Sequence, residues 1–340
     1  MMKCCPECFD DTFLRELALE ADDDVGYCDC CGTDSVHLLD PDALVAYFEP
    51  LLQLYTEDAS GEPLAQILRR DWGFFMRVKD EAATALLEQM FPELSVGKKR
   101  FTGLQEPSIS VLADWDSFRS ELKHTNRFFP SMQLNPDNDS ALFWYLRARP
   151  EDVPDSFFRA RVCDDGMPID IEHMGAPPPE KARGGRANPR GIPYLYVASD
   201  VQTAIYELRP HPSEILCVAR FEVVRDLSLA DLRNPKRSIS PFRIDEDELK
   251  RSYGHIAGLS RLDGELSRPV PPREADLEYL PSQYLSEFIK HCGLDGLIYT
   301  SAMGPGVNYA LFAEEKIKPV SVSMYEVDQT EVAFHEVSHE

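Results

Sequence analysis

Six of the nine cysteines in this 340-residue chain fall within its first 31 positions. Cys5-x2-Cys8 is followed, after 19 intervening residues, by Cys28-x2-Cys31. Two such knuckles supply four thiolates, the donor set that zinc takes in a closed tetrahedron. Pro6 and Gly32 suit tight turns around the ligands, while Cys4 and Cys30 leave the register open, since either can replace a neighbour. Cys163, Cys217 and Cys292 are scattered singly, and no apolar signal core precedes the first knuckle. A metal site is therefore expected in place of a disulfide framework. Four thiolates leave no open coordination position, so the expected ion is structural zinc.

The chain carries 59 acidic and 35 basic side chains, a formal charge of -24. That excess repels polyanions and argues against general binding to nucleic acid or anionic membranes. No apolar run approaches the ~18 residues of a membrane helix, so a cytoplasmic protein is expected. Residues 1–60 alone hold 15 Asp and Glu against Lys3 and Arg15. Asp40-Pro41 reads as an N-cap followed by proline at the first helical position. Beyond it Leu44, Val45, Phe48, Leu51, Leu52 and Tyr55 recur at helical spacing. Helices are also expected over Leu64–Trp72, Glu81–Phe91 and Val111–Arg127.

Prolines 130, 136, 150 and 154 then punctuate the chain, and a domain boundary near residue 150 is expected. After it the period shortens to that of strands, over Phe157–Cys163, Tyr194–Ala198, Glu214–Val224, Gly296–Ser301, Tyr309–Ala313 and Val320–Val327. Short helices are expected at Val201–Leu208 and Gln283–Cys292. The stretches Gly175–Pro193 and Asn234–Pro281 read as long loops, which on a compact sheet are often functional. The class is α+β, with no regular βα repeat.

The most informative segment runs from Gly184 to Glu207. A glycine-opened loop carries Arg183, Arg186 and Arg190 within eight residues of an otherwise acidic chain, an anion site suited to pyrophosphate. In the strand that follows, Tyr194, Tyr196 and Ala198 share one face and Leu195 and Val197 the other. Ser199 or Asp200 caps a short helix with the core stripe Val201, Ala204, Ile205 and Leu208. Glu207 sits at the edge of that stripe, where its carboxylate can reach back towards the strand ends.

This pattern resembles the RES family, named for its Arg, Glu and Ser and found in the toxins of bacterial toxin–antitoxin pairs. The string Gly185–Glu207 carries the likeness. Phe158-Arg159-Ala160-Arg161 looks like the family's opening strand and Leu297-Ile298-Tyr299-Thr300-Ser301 like the strand bringing in the serine. The resemblance spans about residues 155–327 and implies a fold similar to ADP-ribosyltransferases. It also implies cleavage of the nicotinamide–ribose bond of NAD by hydrolysis or phosphorolysis, with NAD as substrate and no further cofactor. In that reading Arg186, Tyr196, Glu207 and Ser301 are catalytic: Glu207 stabilises charge on the ribose or orients the acceptor, Arg186 holds the pyrophosphate and places the ribose, Tyr196 stacks on nicotinamide or packs beside it, and Ser301 hydrogen-bonds ribose or amide. Arg159, Arg161, Arg183 and Arg190 are expected to bind substrate, and Cys5, Cys8, Cys28 and Cys31 the metal.

The expected organisation is a zinc-binding cysteine module at 1–39, a helical domain at 40–150, a RES domain at 151–328 and a flexible tail at 329–340. The helical part resembles the HEPN/RES N-terminal domain fused to some family members. The family's small toxins are single domains silenced by an antitoxin, so here the N-terminal part is expected to regulate access to NAD or recruit an antitoxin or regulatory partner, with homodimerisation left open. Two rival readings come from other classes: a non-catalytic zinc-dependent interaction protein, and a HEPN-type ribonuclease using the Arg119-x4-His124 pair. His335-Glu336-Val337-Ser338-His339 matches the zincin pattern, but only Glu340 follows it and no downstream third ligand remains, so a metal-scavenging tail is expected. No phosphate loop, Gly-x-Gly-x-x-Gly or Gly-x-Ser-x-Gly elbow is present.

Overall fold

The computed structural model describes residues 2–20, 24–103, 111, 114–163 and 166–330, and the His335–His339 motif lies outside them. The chain forms two compact units. The first takes in Met1–Phe118, Ser131–Leu134 and Asn234–Leu262; the second takes in Arg119–Pro130, Asn135–Arg233 and Asp263–Glu340.

In the first unit the cysteine-bearing segment carries helix α1 (Thr12–Glu20) and a short ladder of β1 (Val25–Gly26) with β2 (Val36–His37). Helix α2 (Pro41–Leu52) starts as its sequence dictates, with Asp40 accepting a hydrogen bond from the amide of Asp42 and Pro41 at the first turn. It buries Leu44, Phe48 and Leu51. The apolar period breaks after Leu52, and Tyr55 opens strand β3 (Tyr55–Glu62) instead of extending the helix. Helix α3 (Leu64–Trp72) stops at Gly73, whose φ of 76° is the left-handed conformation that suits glycine after a helix. Helix α4 (Asp80–Met90) follows, and β4 (Phe101–Gly103) pairs antiparallel with β3. Both strands were hidden from sequence reading, because the exposed run Thr56 to Glu62 has no apolar alternation. Phe9, Phe48, Phe74, Phe75 and Phe242 form one aromatic cluster, with the rings of Phe74 and Phe242 stacked 5.6 Å apart. Because Phe9 directly follows Cys8, this cluster anchors the first knuckle.

Helices α5 (Trp115–His124) and α6 (Pro136–Tyr145) come next. The latter is a helix where proline punctuation alone was expected: Asn135 caps it and Pro136 occupies its first turn.

The second unit is built on a seven-stranded mixed sheet, as the α+β expectation requires. Its strands are β5 (Ser156–Val162), β6 (Leu195–Ala198), β7 (Ile215–Val223), β8 (Leu229–Asp231), β9 (Gly296–Thr300), β10 (Val307–Leu311) and β11 (Ile317–Glu326), in the order β11-β7-β5-β6-β10-β9-β8. Neighbours run antiparallel except β8 and β9. Helix α7 (Val201–Glu207) connects β6 to the edge of the following turn. Leu195 and Val197 join Phe157, Cys217, Phe221, Ile298 and Tyr309 in the main core. On the opposite face Ala160, Ala198 and Val218 pack with Ala204 and the rest of the α7 stripe, Val201, Ile205 and Leu208. The two faces thus follow the period-2 alternation read from the sequence.

Two expectations need correction. The stretch Asn234–Pro281 is not a long loop: it holds α8 (Pro235–Ser238), the 22-residue α9 (Glu246–Ser267) and α10 (Ala275–Glu278), followed by α11 (Leu280–His291). Three glycines, each costing about 1 kcal/mol in a helix, mask α9 in the sequence. An acidic first turn at its positive end and an amide-to-Asp245 cap favour it nonetheless. Cys163 and Cys217 are not single thiols either, but form a disulfide across 54 residues. Antiparallel pairing sets Arg161 opposite Cys217, and the amide of Cys163 bonds Ile215, so the ladder delivers the two sulfurs to one place.

Candidate active site and cysteine cluster

The sheet is least closed between β5 and β6. Seven residue pairs join β5 to β7, whereas β5 meets β6 at Phe158↔Ala198 alone. The crevice so formed is a cavity of about 330 Å³, at the lower end of ligand pockets. Register places Phe158, Ala198, Asn308 and Tyr299 in one row across β5, β6, β10 and β9, so all four side chains stand on the same face. Arg159, Arg186, Tyr196, Glu207, Tyr279 and Leu208 complete most of the lining.

Glu207 ends α7 and its carboxylate does reach the strand ends. Its Oε1 accepts from Ser301 Oγ and from Asn308 Nδ2, both at 2.6 Å. Ser301 Oγ accepts in turn from the amides of Met303 and Gly304, at 3.1 and 2.8 Å. Asp200 caps α7 through the amide of Thr203.

The glycine-opened loop is pinned from within. Asn188 is buried, and its Nδ2 donates to the carbonyls of Arg183, Pro189 and Ile192. Tyr196 Oη accepts from the amides of Ala187 and Asn188 and donates to Asn188 Oδ1 at 2.8 Å. Gly185 must be glycine here, since a Cβ would lie 2.6 Å from Asn188 Oδ1 and 2.7 Å from Tyr196 Oη. Burial pushes the Tyr196 phenol up to about 12, so it stays protonated and able to make these bonds.

The three loop arginines part company. Arg186 lines the cavity, donates from Nη1 to the carbonyls of Leu266 and Arg268 at 2.9 and 2.6 Å, and stacks over the Tyr279 ring at 5.4 Å. Arg183 and Arg190 are exposed and do not line the cavity. Of the β5 pair, Arg159 lines the cavity and donates to the Tyr196 carbonyl at 3.5 Å, while Arg161 donates to the carbonyl of His173 at 2.5 Å, outside the lining. Burial, reinforced by Arg161, draws the Arg159 guanidinium down to about 10, still cationic at neutral pH. The fold therefore brings together Arg159, Arg186, Tyr196, Glu207 and Ser301, and leaves Arg161, Arg183 and Arg190 outside. Sequence reading missed Asn308, Asn188 and Tyr279. Asn308 was hidden because the strand that carries it begins at Val307, two residues before the expected start.

Arg119 is engaged by Glu278 at 2.6 Å and Glu265 at 3.4 Å, and His124 is exposed.

In the first unit the sulfurs of Cys5, Cys8, Cys28 and Cys31 lie within 4.8 Å of one another. The contacts Cys5–Cys8, Cys5–Cys31 and Cys8–Cys28 measure 3.8, 3.6 and 3.5 Å. A tetrahedron with zinc–sulfur bonds of about 2.3 Å has edges of about 3.8 Å, so the cluster fits that ion. Cys4 and Cys30 instead turn their sulfurs to the carbonyls of Leu39 and Lys3. Cys8 and burial push the Cys5 thiol up; burial raises Cys31 too, but hydrogen bonds with Thr33 outweigh it and draw that thiol down to about 7. A divalent cation would relieve the crowding by taking all four as thiolates.

The second unit thus holds, on a mixed sheet, a cavity lined by one clamped carboxylate, two cationic side chains and three tyrosines. The chain belongs to the RES domain family, whose model matches residues 157–335. A chain in the crystal structure of the M. tuberculosis MbcT–MbcA toxin–antitoxin complex is similar at 12% identity and a TM-score of 0.34, covering 56% of this chain and 93% of that one. No curated protein matches the sequence. No helix among the described residues is long and apolar enough to cross a membrane.

Proposed function

We propose that the RES domain cleaves the nicotinamide–ribose bond of NAD. The observation that carries this reading is the Glu207 carboxylate, fixed by Ser301 and Asn308 on a cavity that also holds Arg159 and Arg186. Breaking an N-glycosidic bond develops positive charge on the ribose, and a carboxylate held at that carbon stabilises it. The electron pair of the C–N bond returns to the pyridinium nitrogen, so nicotinamide departs neutral and needs no proton. That suits a lining whose one carboxylate, among the described residues, is Glu207. Glycosidases that expel an alkoxide use a second carboxyl as acid. Water or phosphate then forms the new C–O bond, and its proton passes to solvent, giving ADP-ribose or its 1-phosphate. Arg186 keeps N–H groups beyond the two carbonyl contacts of Nη1 for the pyrophosphate. The aromatic rings of Tyr279 and Tyr299 offer stacking surfaces for nicotinamide.

The same reading assigns structural zinc to Cys5, Cys8, Cys28 and Cys31, and gives the part preceding the RES domain, with its HEPN/RES-type likeness, a regulatory role towards NAD access or an antitoxin-like partner. The test is NAD loss with the purified full chain, with and without phosphate, following nicotinamide by chromatography. Nicotinamide release that falls at least about 100-fold in Glu207→Gln, with NADH left intact, is the expected outcome. A phosphate requirement would select phosphorolysis. Undiminished release by Glu207→Gln would overturn the reading.

A further inference from the structure

We propose that Asn308 is a positioning residue that, together with Ser301, locks the Glu207 carboxylate with one oxygen committed and the other offered to the ligand. The inference rests on the NAD reading for its chemistry but on the geometry alone for the clamp.

Asn308 is 5% exposed on β10, flanked in register by Ala198 and Tyr299, with its side chain on the cavity face. Its Nδ2 and the Ser301 hydroxyl converge on the same atom, Glu207 Oε1. The direction of the serine bond is forced. Its oxygen already accepts from the amides of Met303 and Gly304, so its single proton has to point at the carboxylate. Two donors on one oxygen require that oxygen to be an acceptor, and they fix the rotation of the carboxylate plane. Oε2 carries no hydrogen bond among the described residues and is the oxygen left to face a developing cation. The other charged and titratable groups lining the cavity, among the described residues, are Arg159 from β5, Arg186 from the loop, Tyr196 from β6, Tyr279 after α10 and Tyr299 from β9. None of these is placed on Oε1, so the clamp falls to Ser301 and Asn308.

A residue acting through Glu207 has a signature that a packing residue lacks. Asn308→Leu, of similar volume, should lower kcat for NAD about 10- to 100-fold with KM changed less than about twofold. Added to Glu207→Gln, it should cause no further loss, because the group it positions is gone. Independently of any substrate, the side-chain amide of Asn308 can be followed in a proton–nitrogen spectrum of the full chain, assigned by its disappearance in Asn308→Leu. That signal should move in Glu207→Gln and in Ser301→Ala. If Asn308→Leu does not fold, Asn308→Asp keeps the shape, opposes two carboxylates, and should lower kcat more than Asn308→Leu was expected to. An amide signal that stays put in Glu207→Gln, or a loss confined to KM, would overturn the clamp. Absent NAD turnover in the wild-type chain with a signal that moves would remove the NAD reading and leave the clamp standing.

Discussion

At the scale of single residues, the site is held by side chains that do two jobs. Tyr196 was expected to stack on the nicotinamide or to pack beside it. Its ring does line the cavity, but its hydroxyl is spent on the amides of Ala187 and Asn188 and so holds the arginine-bearing loop in place. Removing only the hydroxyl separates the roles. Tyr196→Phe should leave two loop amides unpaired at a cost of about 1–3 kcal/mol, read as a lower thermal midpoint, and should raise KM for NAD as Arg186 loses its register. An unchanged midpoint would show that the loop does not depend on the phenol. Glu207 and Ser301 were singled out through the likeness to the RES family, each at the end of an element. Asn308 was not, since its bond to Glu207 spans 101 residues and no local pattern announces such a partner.

At the scale of elements, the period-2 alternation of β5, β6, β7, β9 and β11 was readable, because each strand has one face in an apolar core. The three-residue β8 and the glycine-containing α9 were not, since length and composition there fall below what periodicity can resolve. Ion pairs tie some of these elements together. Glu278, closing α10, receives Lys123 and Arg119 of α5 and Arg268 after α9. Lys123 above all, with Arg268 and Arg119, holds its carboxyl down at about 2. A carboxyl whose folded value lies below the unfolded value of about 4.3 contributes stability above that pH and loses it as pH falls towards 2. The difference in urea midpoint between wild type and Glu278→Gln should accordingly be full near neutrality and shrink between about pH 4.5 and pH 2. A difference independent of pH would assign the effect to packing.

At the scale of the whole molecule, the cysteine spacing makes a prediction about metal content that the fold sharpens. The purified chain should carry one zinc, retained in Cys4→Ser and Cys30→Ser and lost in Cys8→Ser and Cys28→Ser, as elemental analysis can check. Loss in Cys30→Ser instead would place the second knuckle one residue earlier. By itself the sequence determined the α+β class, the cysteine knuckles and most strands of the sheet, because these rest on local spacing and on alternation against a core, whereas the Arg186, Tyr196, Glu207 and Ser301 set came from the likeness to the RES family. Only the tertiary structure decided which four of six thiols converge, that Cys163 meets Cys217, that segment 234–262 clusters with the N-terminal unit, and which arginines reach the cavity. The physical reason is the same in each case. Tertiary contacts bring together residues tens to a hundred positions apart, and such proximity leaves no periodic trace in the chain.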